Sequence, residues 1–215
     1  MGSKSCTSGA AGYYQALTGS TSCSICTIGS FGTATGATSC SSCAAGTYLT
    51  VSGATDCEAC TAGKYSADGG STSCSVCVAG TYSATAASVC TNCAAGTYQT
   101  GKGSTFCSSC VAGTYQVASG ATSCSDCPAG TSLATAGASV LSSCASCVAG
   151  KYSAAGVTAC TSCAAGTYSS VGSTACSKCS TGSYAAASGS SACTECAAGT
   201  YRVRLNHVIF SVHFF

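Results

Sequence analysis

Cysteine is the residue with the most chemistry to offer here, at 23 of 215 positions. A thiolate can ligate a metal, exchange electrons or close a disulfide. Eleven Cys-x-x-Cys pairs run through the chain, with first cysteines Cys23, Cys40, Cys57, Cys74, Cys90, Cys107, Cys124, Cys144, Cys160, Cys176 and Cys193. Two successive pairs approach a zinc-ribbon spacing. Zinc would need discrete groups of four thiols and a reducing compartment, and these pairs are evenly spaced with no preferred grouping. A redox Cys-x-x-Cys needs a helix N-terminus to depress the thiol pKa, and no pair sits in a strand–helix–strand pattern. A cysteine density near one in nine points instead to a disulfide scaffold, a construction of oxidising compartments. No metal and no cofactor is expected; a metal-binding protein is the sharpest chemical rival to the disulfide reading and the third class of function, after a structural and a ligand-binding role.

Other reactive side chains are sparse. The acids are Asp56, Glu58, Asp68, Asp126 and Glu195, and both histidines, His207 and His213, lie near the end of the chain. General acid–base catalysis needs a positioned, pKa-tuned group, and these are scattered, so no enzyme is expected. With 7 basic and 5 acidic residues the net charge is +2, and no basic patch suits nucleic acid. No run of about 20 apolar residues could span a bilayer. Serine and threonine invite O-glycosylation, while neither Asn92 nor Asn206 starts an N-glycosylation sequon.

The elements that must hold the cysteines follow from a repeat. Steps between first cysteines are 17, 17, 17, 16, 17, 17, 20, 16, 16 and 17 residues. A glycine stands three residues after each second cysteine, as at Gly46 and Gly63, and an aromatic two further on, as at Tyr48 and Tyr65. Phe31 and Ser132 vary the aromatic position. A second glycine sits four residues before most pairs, as at Gly53 and Gly70; Ala86 replaces it once. One repeat is lengthened by an insertion within Gly137–Ser143. Cys6, Gly12 and Tyr14 fit the same phase, with Gly9 where a second cysteine belongs. Residues 1–22 therefore read as a degenerate first repeat, 23–201 as the tandem array and 202–215 as an aberrant tail.

In Cys43–Cys57 the first glycine permits a tight turn. Thr47-Tyr48-Leu49-Thr50-Val51 reads as a short strand, and Ser52-Gly53-Ala54-Thr55 as a turn. Each repeat is then an irregular hairpin, unstable alone, and neighbours must stack. The tyrosine ring is expected over a disulfide and the next turn, with its hydroxyl on a backbone group or water; a tyrosine ladder binding glycans or a partner is the lesser expectation.

Spacing favours bonding each second cysteine to the next first cysteine: Cys26–Cys40, Cys43–Cys57, Cys60–Cys74, Cys77–Cys90, Cys93–Cys107, Cys110–Cys124, Cys127–Cys144, Cys147–Cys160, Cys163–Cys176 and Cys179–Cys193. Each such loop would contribute about 3 kcal/mol by restricting the denatured chain. A crossed pattern between alternate repeats stays open. Cys6 and Cys23 are the candidate replacement pair, and Cys196 is left unpaired. An odd thiol points to an intermolecular bond or a missing continuation. The first residues carry no apolar signal-peptide core, and Arg202–Phe215 abandons the repeat. We therefore expect a fragment, or misread ends, of a longer extracellular chain.

The pattern Cys-x-x-Cys-x-x-Gly-Thr-Tyr…Gly-x-x-x-Cys, as in Cys93-Ala94-Ala95-Gly96-Thr97-Tyr98 to Cys107, resembles the ephrin-receptor-like cysteine-rich repeats. It is also similar to the one-disulfide module of tumour-necrosis-factor-receptor domains. The resemblance covers residues 6 to about 201 and implies the consecutive pairing. It departs from the family in having Ala before the turn glycine where proline is common; Pro128 is the sole proline. The expected fold is a small disulfide-rich, mostly β and irregular array, elongated, of about twelve 17-residue hairpin repeats with almost no helix. The expected function is an extracellular or cell-surface structural or adhesive rod: a stalk, surface coat or filament segment. Its partners would be other surface or matrix proteins, or copies of itself. The alternative is a ligand-binding, receptor-like ectodomain whose specificity lies in the lengthened Cys127–Cys144 repeat.

Overall fold

Among the described residues a glycine that turns the backbone through positive φ opens every repeat, and the two-residue hairpins hang from that turn. The computed structural model describes residues 10–16 and 22–197, and the backbone of 200–205 and 208–213. They form two compact units, one of Met1–Ala94, Tyr98–Ser108 and Ser119–Thr122, the other of Ala95–Thr97, Ser109–Ala118 and Ser123–Phe215. Among the described residues the only helical element is a 3-10 turn at Leu141–Ser143.

Within the first unit the repeat starting at Cys43 shows the construction. Gly46 has φ +88°. The threonine after it closes the turn, its hydroxyl donating to the Ala44 carbonyl at 2.7 Å. Strand Thr47–Tyr48 pairs antiparallel with Glu58–Ala59, Thr47 opposite Ala59 and Tyr48 opposite Glu58. The return strand is thus the dipeptide between the two cysteines of the next Cys-x-x-Cys. The Cys60 N–H donates to the Gly46 carbonyl at 2.9 Å and seals the hairpin. The strand is shorter than the sequence suggests. It stops at Tyr48 because the backbone of Leu49 turns to the following repeat, its N–H donating to the Ser71 carbonyl at 3.1 Å.

Stacking between repeats runs through the backbone. The Gly46 N–H donates to the Ser66 carbonyl of the next hairpin at 2.8 Å, and the Ala86 N–H, two repeats on, donates to the Cys60 carbonyl at 2.8 Å. A Cβ added to Gly46 would overlap the Ala86 carbonyl oxygen. Glycine is therefore required there twice over, for its φ and for this close approach. Ala86 itself sits at φ 59°, the one non-glycine in that region among the described residues.

The second unit repeats the scheme. Thr114–Tyr115 pairs with Ser125–Asp126. The Cys127 N–H donates to the Gly113 carbonyl at 2.9 Å, the Gly113 N–H to Leu133 at 2.8 Å, and the Gly156 N–H to the Cys127 carbonyl at 3.0 Å. The lengthened repeat keeps Gly137 in its place, bonded to the Cys110 carbonyl at 2.8 Å. Its additional residues fall after Gly137, where Leu141–Ser143 makes its 3-10 turn. The tail, expected to leave the repeat pattern, pairs Thr200–Leu205 antiparallel with Val208–His213.

The interior is narrow and made of sulfur, backbone and, in most repeats, one side chain no larger than leucine. Most second cysteines, such as Cys26, Cys60, Cys93, Cys127 and Cys163, are fully buried. So is the residue after the aromatic in most repeats: Leu49, Ser66, Ser83, Leu133, Ser153, Ser169 and Ala185. Where it is serine its hydroxyl is satisfied, at Ser66 within its own repeat by the Asp68 carbonyl at 3.3 Å and at Ser83, Ser153 and Ser169 by the preceding hairpin. Ser83 donates to the Lys64 carbonyl at 2.9 Å, and Ser153 to the Thr131 carbonyl at 2.7 Å. No described buried side-chain oxygen or nitrogen lacks a hydrogen-bond partner, as native interiors require.

Candidate functional site

The cysteines form one continuous series of cross-links. The first unit contains Cys26–Cys40, Cys43–Cys57, Cys60–Cys74, Cys77–Cys90 and Cys93–Cys107. The second contains Cys110–Cys124, Cys127–Cys144, Cys147–Cys160, Cys163–Cys176 and Cys179–Cys193. Their Cα atoms lie 5.7–5.8 Å apart, in the usual range for a bridge. Cys23 is disulfide-bonded; Cys6, its expected partner, lies outside the described residues. Cys196 is a free, half-buried thiol. Its N–H continues the repeat, donating to the Gly182 carbonyl at 2.8 Å.

Each bond ties the second cysteine of one hairpin, as Cys43, whose N–H donates to the Gly29 carbonyl, to the first cysteine of the next, as Cys57 before the Glu58–Ala59 strand. The second cysteine is sealed into the strand ladder, while the first stands half-buried at the start of the return strand.

The acids do local work. The Asp56 carboxylate accepts the Cys57 N–H at 2.8 Å. Glu58, opposite Tyr48 in the ladder, accepts a hydrogen bond from the Tyr48 hydroxyl. That bond and the carboxylate charge push the Tyr48 pKa above its usual 10.0. The bonded, neutral phenol is the form favoured. Asp68 serves through its carbonyl, which accepts the Ser71 hydroxyl at 2.7 Å. Asp126 stands across from Thr114, and Glu195 across from Ser183. His207 lies outside the described residues, and only the backbone of His213 is described. Among the described residues, no three of His, Cys, Asp and Glu come together as a metal-ligating group, and no helix is long and apolar enough to cross a membrane.

Among the described residues the tyrosines at the aromatic position of the repeat are half-buried. Tyr115 packs, with Cys144, against the cluster of Cys127, Leu133 and Ala138, beside the Cys127–Cys144 bond, as expected from the sequence. Tyr48 differs from the expectation of a backbone or water partner: its hydroxyl takes the Glu58 carboxylate. Two tyrosines also wall small surface depressions. One, of about 250 Å³, is lined by Tyr48, Thr61, Lys64, Ser73 and Cys74. The other, also about 250 Å³, is lined by Tyr14, Ile25, Thr27, Ser30, Ser39 and Cys40. Sequence reasoning weighed the tyrosines and missed the hydroxyls around them. The available signal was the coincidence, in two repeats, of Thr just after one cysteine pair with Ser just before the next.

The family model for the tyrosine-protein kinase ephrin type A/B receptor-like domain matches residues 80–112, 100–144 and 166–206. No curated protein matches the chain. That family is an extracellular kind of module, and serial disulfides belong to the same oxidising setting. With hairpin, glycine phase and serial bonding all in place, the chain carries ephrin receptor-like cysteine-rich repeats over residues 80–144 and 166–206.

Proposed function

We propose that the array is an extracellular structural or adhesive segment, of the kind that builds a stalk, a surface coat or a filament, with no catalytic apparatus of its own. The observation that carries this reading is where the invariant residues go. Cysteine and glycine are consumed by cross-linking and stacking, and the surface between them is mostly small uncharged residues with scattered exposed valine, isoleucine and phenylalanine. Variation from repeat to repeat is thus free to change adhesive contacts without changing the fold. Partners of this segment would be other surface or matrix proteins, or further copies of the chain.

A ligand-binding ectodomain is the second reading, and the lengthened repeat favours it. Val140 and Leu141 are about half exposed on a turn whose counterpart is missing from its neighbours. The two readings separate on one experiment. Beads coated with the oxidised, secreted chain are scored for adhesion to cells, beside a variant lacking Val140–Ser142, which restores the Cys127–Cys144 separation to that of the other repeats. The structural reading expects full adhesion from the shortened variant and a decline as whole repeats are removed. Adhesion abolished by the three-residue deletion alone would overturn it in favour of the receptor reading.

A further inference from the structure

The depressions at Tyr14 and Tyr48 are the same site twice. Tyr14, Thr27, Ser39 and Cys40 of one correspond, two repeats on, to Tyr48, Thr61, Ser73 and Cys74 of the other. Both lie in the first unit. We propose that each binds one pyranose ring of an extracellular glycan, through the tyrosine ring and the flanking threonine and serine hydroxyls. The assignment deepens the adhesive reading and rests on it for access to such glycans.

The chemistry of the lining selects the ligand class. Hydroxyls both donate and accept, which suits the alternating demands of a sugar's own hydroxyls. An aromatic face is electron-rich and attracts the slightly positive C–H bonds on one side of a pyranose. No cluster of cations is present to favour phosphate; Lys64 is the single charge lining either site. Each volume, about 250 Å³, falls just below the roughly 300–1,000 Å³ of pockets that enclose drug-sized ligands, so one ring fits and the rest of a chain stays outside. Two such sites on one chain gain by multivalency what each lacks in affinity.

The sequence keeps these side chains together only at these two places. Elsewhere the set is broken: Phe31 goes with Ala44 and Asp56, Tyr65 with Val78 and Val89, Tyr98 with Val111, and Tyr152 with Ala164 and Ala175. The fold needs neither hydroxyl, since valine at 78, 111 and 148 occupies the place of Thr61 and is exposed there. Thr61 and Ser73 are therefore available for something other than stability.

The test uses the full oxidised chain with methyl glycosides of mannose, glucose and galactose, followed by saturation-transfer NMR. Binding of at least one glycoside is expected with a dissociation constant of about 1–10 mM, the weak range of single small contacts. The double variant Thr27→Val/Thr61→Val should weaken it by at least about tenfold, with thermal melting unchanged. Tyr14→Ala/Tyr48→Ala should abolish it. No transfer from any of the three glycosides, or an affinity unchanged in either double variant, would sink the assignment. If sugars fail to bind while coated beads still adhere, this site falls alone; if sugars bind and beads do not adhere, the adhesive reading falls alone.

Discussion

At the scale of single residues, the protein uses side chains mainly to satisfy backbone and to fill gaps the size of a serine. The position after the aromatic takes leucine at 49 and 133 and serine at 66, 83, 153 and 169. A buried hydroxyl costs little when it is bonded, and Ser83 and Ser153 each find a carbonyl on the preceding hairpin. This is why polar residues can be interior here. The ladder sets the Tyr48 phenol opposite the Glu58 carboxylate. Because the folded pKa of Tyr48 is raised, its bond to Glu58 contributes fully below the unfolded value near 10 and is lost as pH rises through the folded value. Glu58→Gln should return the Tyr48 midpoint toward 10.0, read by ultraviolet or NMR titration. An unchanged midpoint would show that the carboxylate is not its cause.

At the scale of the element, the two-residue strand explains the glycine phase. So short a ladder cannot hold its own register, and the turn and the neighbouring repeats must supply it. Gly46→Ala should destabilise the chain by at least about 1–2 kcal/mol from the left-handed backbone alone, and more because the added methyl meets the Ala86 carbonyl. Ala86→Gly should do the reverse. It relieves a strained φ and is offset by the larger freedom of unfolded glycine, leaving a gain of up to about 1 kcal/mol. Paired melts of the two variants check both signs, and equal melting of all three proteins would refute the account of the turn.

At the scale of the whole molecule, covalent cross-links stand in for a hydrophobic core. Large apolar side chains are few, and many that exist, such as Phe106 and Val171, are mostly exposed. Buried hydrocarbon is therefore a minor source of stability, and the closed loops carry more, about 3 kcal/mol each for loops of this length. Under strong thiol reductant the chain should lose its protease resistance and its cooperative melt. Cys60→Ala/Cys74→Ala should cost about 3 kcal/mol and open cleavage first within residues 60–74. A protein that stays resistant when fully reduced would refute this. Intact mass before and after reduction, two hydrogens per bond, counts the cross-links independently.

Much of this was legible before any coordinates. The spacing of cysteine, glycine and tyrosine names the repeat, because each type has a local reason to stand where it does: a staple, a positive φ, a ring large enough to cover the staple. Three things were not legible. That the dipeptide between two cysteines is the return strand depends on pairing with Thr47–Tyr48, and small residues such as Ser41-Ser42 carry no strand pattern. That Leu49 or Ser83 is interior depends on what the next repeat lays against it, and a position that accepts both leucine and serine has no hydropathy signature. That Tyr14 and Tyr48 share a set of hydroxyls depends on residues far apart in sequence meeting on one surface. Local conformation was written in the residues themselves; burial and neighbourhood were decided by stacking, since they are properties of two or three repeats at once.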